Sequence, residues 1–114
     1  MILFASTVFN NVSIFYQILF ENFGSKVPVW ITFNEPLSFC QDGYGGTDAP
    51  GDKSSGFEDY LCGHNVLRAH GMVYRMYDRE YRKLLKGKLV FVSYKYNLFL
   101  LILVLITYIA PFKI

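Results

Sequence analysis

Residues 27–33 (VPVWITF) limit the folds open to this chain more than any other segment does. They are rich in β-branched and aromatic residues, and apolar side chains fall on both faces of the extended backbone. This pattern predicts a strand buried within a parallel sheet. Parallel strands are joined by crossover connections that usually contain a helix, so helical patterns should flank this segment.

A helical pattern precedes the strand. Over residues 13–23 the apolar positions recur at i, i+3, i+4 and i+7, which is typical of an amphipathic helix. The apolar stripe consists of Tyr16, Leu19, Phe20 and Phe23. Gly24 follows, at a point where a helix can end in a left-handed turn. We therefore expect an amphipathic helix that ends near Gly24.

A long loop and a second helical pattern follow the strand. Residues 37–55 are rich in Gly, Asp and Ser and predict an irregular loop. Ser55 and Glu58 match a capping box at the start of a helix over residues 57–85. Four-and-three spacing predicts that one face of this helix carries Tyr60, His64, Leu67, Gly71, Tyr74, Tyr81 and Leu85. Gly87 ends the helix, and residues 88–94 (KLVFVSY) predict a second strand.

The order helix, strand, loop, helix, strand indicates the βαβ-type unit that repeats in α/β barrels. The chain has 114 residues, whereas a complete (β/α)8 TIM barrel needs about 250. We therefore predict an α/β chain that forms a partial (β/α)8 barrel over residues 13–94. Residues 1–12 form a separate N-terminal segment, and residues 95–114 form an apolar tail expected to be helical.

Composition excludes several classes of function. Hydrophobic residues make up 53% of the chain and charged residues 18%, so intrinsic disorder is excluded. The net charge of +2 comes from scattered Lys and Arg rather than from a basic stripe, so nucleic acid is not an expected partner. Cys40 and Cys62 lack the spacing of a zinc site, and we expect neither metal nor cofactor.

The two cysteines and one sequon bear on the compartment of the protein. We expect Cys40 and Cys62 to be free thiols, although a secreted protein would allow a disulfide between them. Asn11-Val12-Ser13 matches the acceptor sequence for N-glycosylation and fits that compartment. The localisation stays open between secreted and membrane-associated.

Glu35 is the residue that best fits a catalytic role. It follows a predicted strand and precedes a proline and a long loop, which is the layout of the catalytic end of an α/β barrel enzyme. Glycoside hydrolysis needs a carboxylic acid to protonate the departing oxygen, and the neighbouring Asn34 amide can hydrogen-bond a sugar hydroxyl. Trp30, His64 and His70 are expected to be packing residues rather than ligands.

Four ordered sequence blocks carry a resemblance to a known family. Residues 30–36 (WITFNEP) resemble the acid/base signature of glycoside hydrolase family 1, which includes β-glucosidases and myrosinases. Further similar blocks are residues 20–24 (FENFG), residues 43–51 with their Gly-Tyr-Gly and Ala-Pro-Gly, and residues 63–70 (GHNVLRAH). The resemblance implies a fragment around the fourth strand of the barrel. It also implies that Glu35 is the proton donor and general base, that Asn34 contacts the 2-hydroxyl of the sugar, and that a β-glycoside is the substrate.

The sequence departs from the family at both ends. The Ile-Thr-Glu-Asn-Gly motif that carries the family's nucleophile does not occur in these 114 residues. We therefore expect the chain to be inactive alone. The ends resemble foreign sequence attached to a barrel fragment, as a truncated or mis-spliced gene would give.

The apolar tail supports an alternative, a non-catalytic barrel remnant held at a membrane. Residues 98–112 would span about 22 Å as a helix, against about 30 Å for a bilayer core. With Tyr96 and Asn97 the stretch reaches the lower limit for a span, and Lys95 and Lys113 would flank it at the interfaces. Membrane association through these residues therefore remains an open alternative.

Overall fold

The structure, a computed structural model, describes residues 2–51 and 55–92, with side chains from residue 10 onward. Helix α1 spans Ile2–Phe23 and strand β1 Val29–Asn34. The short helix α2, Pro36–Ser38, runs into a π-helical turn, Phe39–Tyr44. Helix α3, Glu58–Met76, continues through a second π-helical turn, Tyr77–Tyr81, into α4, Arg82–Leu85. Strand β2 spans Lys88–Val92.

The two strands pair with each other in parallel. The Lys88 N–H donates to the Pro28 carbonyl at 3.0 Å, and the Thr32 hydroxyl lies 3.4 Å from the Val90 carbonyl. Residue numbers rise together along both strands, so the sheet is parallel and the long helical segment is the crossover between its strands. The predicted order of strand, helix and parallel strand is confirmed.

The described residues divide into two compact units, one of residues 2–34 and 64–91, the other of residues 35–51, 55–63 and 92. The core of the first unit comes from both helices and from β2. Its buried residues are Tyr16, Phe20, Val73, Tyr77 and Leu89. The Phe20 ring lies 5.0 Å from Tyr77 and 5.3 Å from Trp30, centre to centre. Trp30 is therefore a packing residue, as predicted.

Both helices differ in part from their predicted patterns. Helix α1 begins at Ile2 rather than near residue 13, and Phe23, predicted on its apolar stripe, is 48% exposed. Tyr60 was predicted on the packed face of α3 but is 76% exposed. The buried residues of α3 are Ala69, His70 and Val73, so the packed face lies in the second half of this helix and continues to Tyr77.

The prediction that β1 is buried on both faces was wrong for the described residues. Val29 and Ile31 are 49% and 47% exposed, whereas Thr32 is buried. Trp30 and Thr32 alternate with the exposed pair along the strand, so they lie on its other face. The core of the first unit covers only that face of β1.

Candidate active site

The backbone around Glu35 is fixed on both sides of the residue. Its N–H donates to the carbonyl of Val92 at 3.0 Å, and its own carbonyl accepts the N–H of Ser38 at 3.0 Å. The backbone of Glu35 is left-handed, with φ 52° and ψ 48°. These bonds hold a half-buried glutamate immediately after the last residue of β1.

The sequence explains why the backbone turns sharply at Glu35, between β1 and α2. The residues of β1 favour an extended backbone up to Asn34. Pro36 disfavours the right-handed helical conformation for the residue before it. Pro36 also has a fixed φ that suits the first position of a helix, and α2 begins there. Glu35 therefore lies in the turn between β1 and α2, at the C-terminal end of the strand as predicted.

Asn34 is the last residue of β1, and its side chain is exposed. It directly precedes Glu35 in the chain. Exposure leaves the amide available to a ligand, because it can donate two hydrogen bonds and accept others.

The segment after Glu35 is more ordered than an irregular loop. Residues 36–44 are helical. Beyond them the N–H of Gly51 donates to the carbonyl of Gly43 at 2.9 Å. A Cβ atom on Gly43 would lie 2.7 Å from the carbonyl oxygen of Ala49, so only glycine allows the chain to fold back this closely.

The expectation that Cys40 and Cys62 are free thiols was wrong, because they form a disulfide with a Cα–Cα distance of 5.5 Å. They are 22 residues apart, and the loop folds back far enough to bring Cys40 to the first turns of α3. Such a long separation carries no motif, so the sequence alone did not predict the pair.

The start of α3 also differs from the predicted capping box. The helix begins at Glu58, later than a cap at Ser55 would place it. The Asp59 carboxylate accepts the backbone N–H groups of Gly56 and Tyr60, each at 2.9 Å. A carboxylate near the positive end of the helix dipole is favourable there.

Beneath β1 lies a buried polar cluster that sequence reasoning did not identify as a unit. The hydroxyl of Tyr16 donates to the Thr32 carbonyl at 2.5 Å. The Thr32 hydroxyl lies 2.7 Å from Nδ1 of His70. That hydroxyl has one proton, so it donates either to His70 or to the carbonyl of Val90. These bonds connect α1, β1, α3 and β2.

Burial determines the ionisation of this cluster. His70 is 4% exposed, and loss of hydration lowers its pKa from 6.5 to about 4. Burial also raises the pKa of the Tyr16 hydroxyl. The cluster is therefore neutral at pH 7. The prediction that His70 packs within the fold is confirmed, whereas the same prediction for His64 was wrong because His64 is exposed.

Two further findings apply to the residues that the structure describes. Among them, no group of three or more His, Cys, Asp or Glu side chains could hold a metal ion. Within residues 2–51 and 55–92, no helix combines the length and apolar character that crossing a bilayer requires. The apolar tail predicted at residues 95–114 lies outside the described residues.

The described residues form parallel strands joined by a helical crossover, and Glu35 directly follows the first strand. A model of glycosyl hydrolase family 1 matches residues 5–98. The chain therefore belongs to glycosyl hydrolase family 1, and the resemblance seen in its motifs is confirmed. Members of this family are (β/α)8 barrels, and β1, α3 and β2 follow the strand, helix and parallel strand order of such a barrel.

Several glycosidases are similar to this chain. It is 45% identical over 69 residues to human lactase/phlorizin hydrolase, covering 60% of this chain and 4% of that protein. It is 39% identical over 94 residues to rice beta-glucosidase 12, covering 72% and 18%. It is 37% identical over 89 residues to furcatin hydrolase of Viburnum furcatum, covering 72% and 16%. The chain thus spans less than a fifth of the length of each of these relatives.

Proposed function

We propose that this chain supplies the general acid/base, Glu35, of a retaining β-glucosidase-like glycoside hydrolase. The observation that carries the proposal is the fixed position of Glu35 directly after a parallel strand, within a segment that belongs to glycosyl hydrolase family 1. The names of its relatives, which include beta-glucosidases, favour a β-glucoside as substrate.

The proposed chemistry has two steps, and Glu35 acts in both. In the first step its carboxyl group donates a proton to the glycosidic oxygen as a second carboxylate attacks the anomeric carbon and the aglycone leaves. In the second step the Glu35 carboxylate removes a proton from water, which then displaces the enzyme from the sugar. The Asn34 amide would hydrogen-bond the 2-hydroxyl of the sugar, where such bonds strengthen in the transition state.

These 114 residues alone are expected to be inactive. A retaining enzyme needs two carboxyl groups about 5–5.5 Å apart across the sugar. The other acids near the loop, Asp42 and Asp48, follow the same strand as Glu35, and Asp78 and Glu80 lie on the second π-helical turn. None has the strand-end context of Glu35, so none of them is proposed as the nucleophile.

A chimera with a full-length relative tests the role of Glu35. Residues 13–92 would replace the matching segment of rice beta-glucosidase 12, and the chimera would be assayed with two aryl β-glucosides. Glu35→Gln should slow hydrolysis of the substrate with the poorer leaving group by about 10²- to 10⁴-fold, the usual contribution of general acid catalysis. The substrate with the better leaving group needs little protonation, so its first step should be far less affected.

Azide supplies the diagnostic control. It needs no general base, so it should restore turnover in the Glu35→Gln chimera and yield a glucosyl azide with retained configuration. Glu80→Gln, at a partly exposed carboxylate in an ion pair with Arg79, should leave both rates unchanged. Equal loss with both substrates and no azide rescue would contradict the acid/base role.

The isolated chain tests the proposed inactivity. Its turnover of the substrate with the better leaving group should match that of its own Glu35→Gln variant. Turnover that Glu35→Gln abolishes would mean that the chain contains a nucleophile after all.

A further inference from the structure

The disulfide in the second unit indicates the compartment in which the protein matures. Cys40 and Cys62 are joined within that unit, and disulfides form and persist in oxidising environments such as the secretory pathway and the cell exterior. Formation of the disulfide removes two protons and two electrons from the thiols of Cys40 and Cys62. An oxidised disulfide carrier of that compartment accepts them. A protein matured there also meets the enzymes that attach glycans to asparagine.

One acceptor sequence for such a glycan occurs among the 114 residues, Asn11-Val12-Ser13. None of the other asparagines is followed by Ser or Thr at the second position after it. The Asn11 side chain is exposed on α1. The core residues Tyr16 and Phe20 are five and nine positions further along, about 140° and 180° around the helix from Asn11. Asn11 therefore points away from the core of its unit.

We propose that Asn11 carries an N-linked glycan, added in the same oxidising compartment that forms the disulfide between Cys40 and Cys62. The donor is an oligosaccharide attached to a lipid diphosphate. The amide nitrogen of Asn11 bonds to the anomeric carbon of the first sugar and loses one proton. The bond from that carbon to the phosphate oxygen breaks, and the lipid diphosphate leaves with the electron pair. No oxidant is needed for this step.

The surroundings of Asn11 can accommodate a first sugar residue. Asn11 borders an open, mainly apolar groove within the first unit, which is also lined by Val12, Phe15, Phe33 and the buried Tyr16. Phe15, one turn further along α1, is 56% exposed. The sugar would lie beside this ring and cover part of it, without displacing any buried side chain. A polar glycan there would reduce the exposed apolar surface of α1.

The first test uses the native protein from its own cells. Peptides are prepared without reduction, treated with an amidase that releases N-linked glycans, and analysed by mass spectrometry. The amidase converts a glycosylated asparagine into aspartate, so we expect aspartate at position 11 and a peptide pair joined through Cys40 and Cys62. Unmodified Asn11, or free thiols at both cysteines, would overturn the proposal.

The second test uses four variants of the full chain in a secreting eukaryotic host. Asn11→Gln and Ser13→Ala should both abolish the shift in mobility that the amidase removes, because each destroys the acceptor sequence. Ser13→Thr preserves the sequence and should keep the shift. Asn10→Gln, at an exposed neighbouring position of the same helix, should also keep it. A shift that survives Ser13→Ala would overturn the assignment to Asn11.

Discussion

His70 should make the stability of the first unit depend on pH. Its pKa in the folded chain is about 4, against 6.5 for the unperturbed side chain. Between these values the unfolded chain binds a proton that the folded chain does not, so acidification favours unfolding. The free energy of unfolding should be highest above pH 6.5 and should fall as the pH drops to 4. At about 1.4 kcal/mol per pKa unit, the loss over this window is about 3 kcal/mol.

The assay is urea denaturation at several pH values between 7 and 4, followed by the fluorescence of Trp30. Trp30 is the only tryptophan in the chain and packs against Phe20 in the core. His70→Asn keeps a polar group near the Thr32 hydroxyl but cannot titrate in this range. It should lower the free energy of unfolding at pH 7. Between pH 7 and pH 4, however, the variant should lose about 3 kcal/mol less unfolding free energy than the parent chain does.

The matched control is His64→Asn, since His64 is the other of the two histidines in the chain and is exposed. This variant should keep the pH dependence of the parent chain. Carboxylates contribute a common background to all three proteins, so the comparison between variants isolates the histidine. Equal losses of unfolding free energy between pH 7 and pH 4 in the parent chain and in His70→Asn would refute the claim that His70 is buried in its neutral form.

Three further changes should alter stability in defined ways, each measured by the same denaturation assay. Val73→Ala, at a fully buried side chain, should lower the free energy of unfolding by about 2 kcal/mol, whereas Val29→Ala, at a side chain 49% exposed, should lower it far less. Lys86→Gly should raise it by about 1 kcal/mol, because Lys86 ends α4 with φ 53°; a loss would contradict this. Replacing both Cys40 and Cys62 by serine should cost about 3 kcal/mol for a loop of this length, and a reducing agent should then have no further effect.

Local patterns predicted the main elements because those elements depend on nearby residues. The apolar spacing of Tyr16 and Phe20 indicated the helix and its buried side, and both residues lie in the core. The β-branched run before Asn34 indicated β1, which ends at that residue. The signature around Glu35 indicated the family, and the family match confirms it.

Features that depend on distant residues were missed. The disulfide needs the loop to bring Cys40 to Cys62, and no local pattern encodes that approach. The polar cluster needs Thr32 and His70, which are 38 residues apart, to meet beneath the sheet. Neither residue type indicates a buried hydrogen bond by itself, because threonine is mostly exposed in proteins and histidine is intermediate in burial.

The left-handed backbone of Glu35 has a consequence for how sequences change at this position. A non-glycine residue with φ 52° costs about 1 kcal/mol relative to glycine, which adopts this conformation freely. Selection for stability alone would therefore favour glycine here. In a chain released from catalytic selection, replacement of Glu35 by glycine should be tolerated well, whereas a β-branched residue such as valine should be strongly disfavoured.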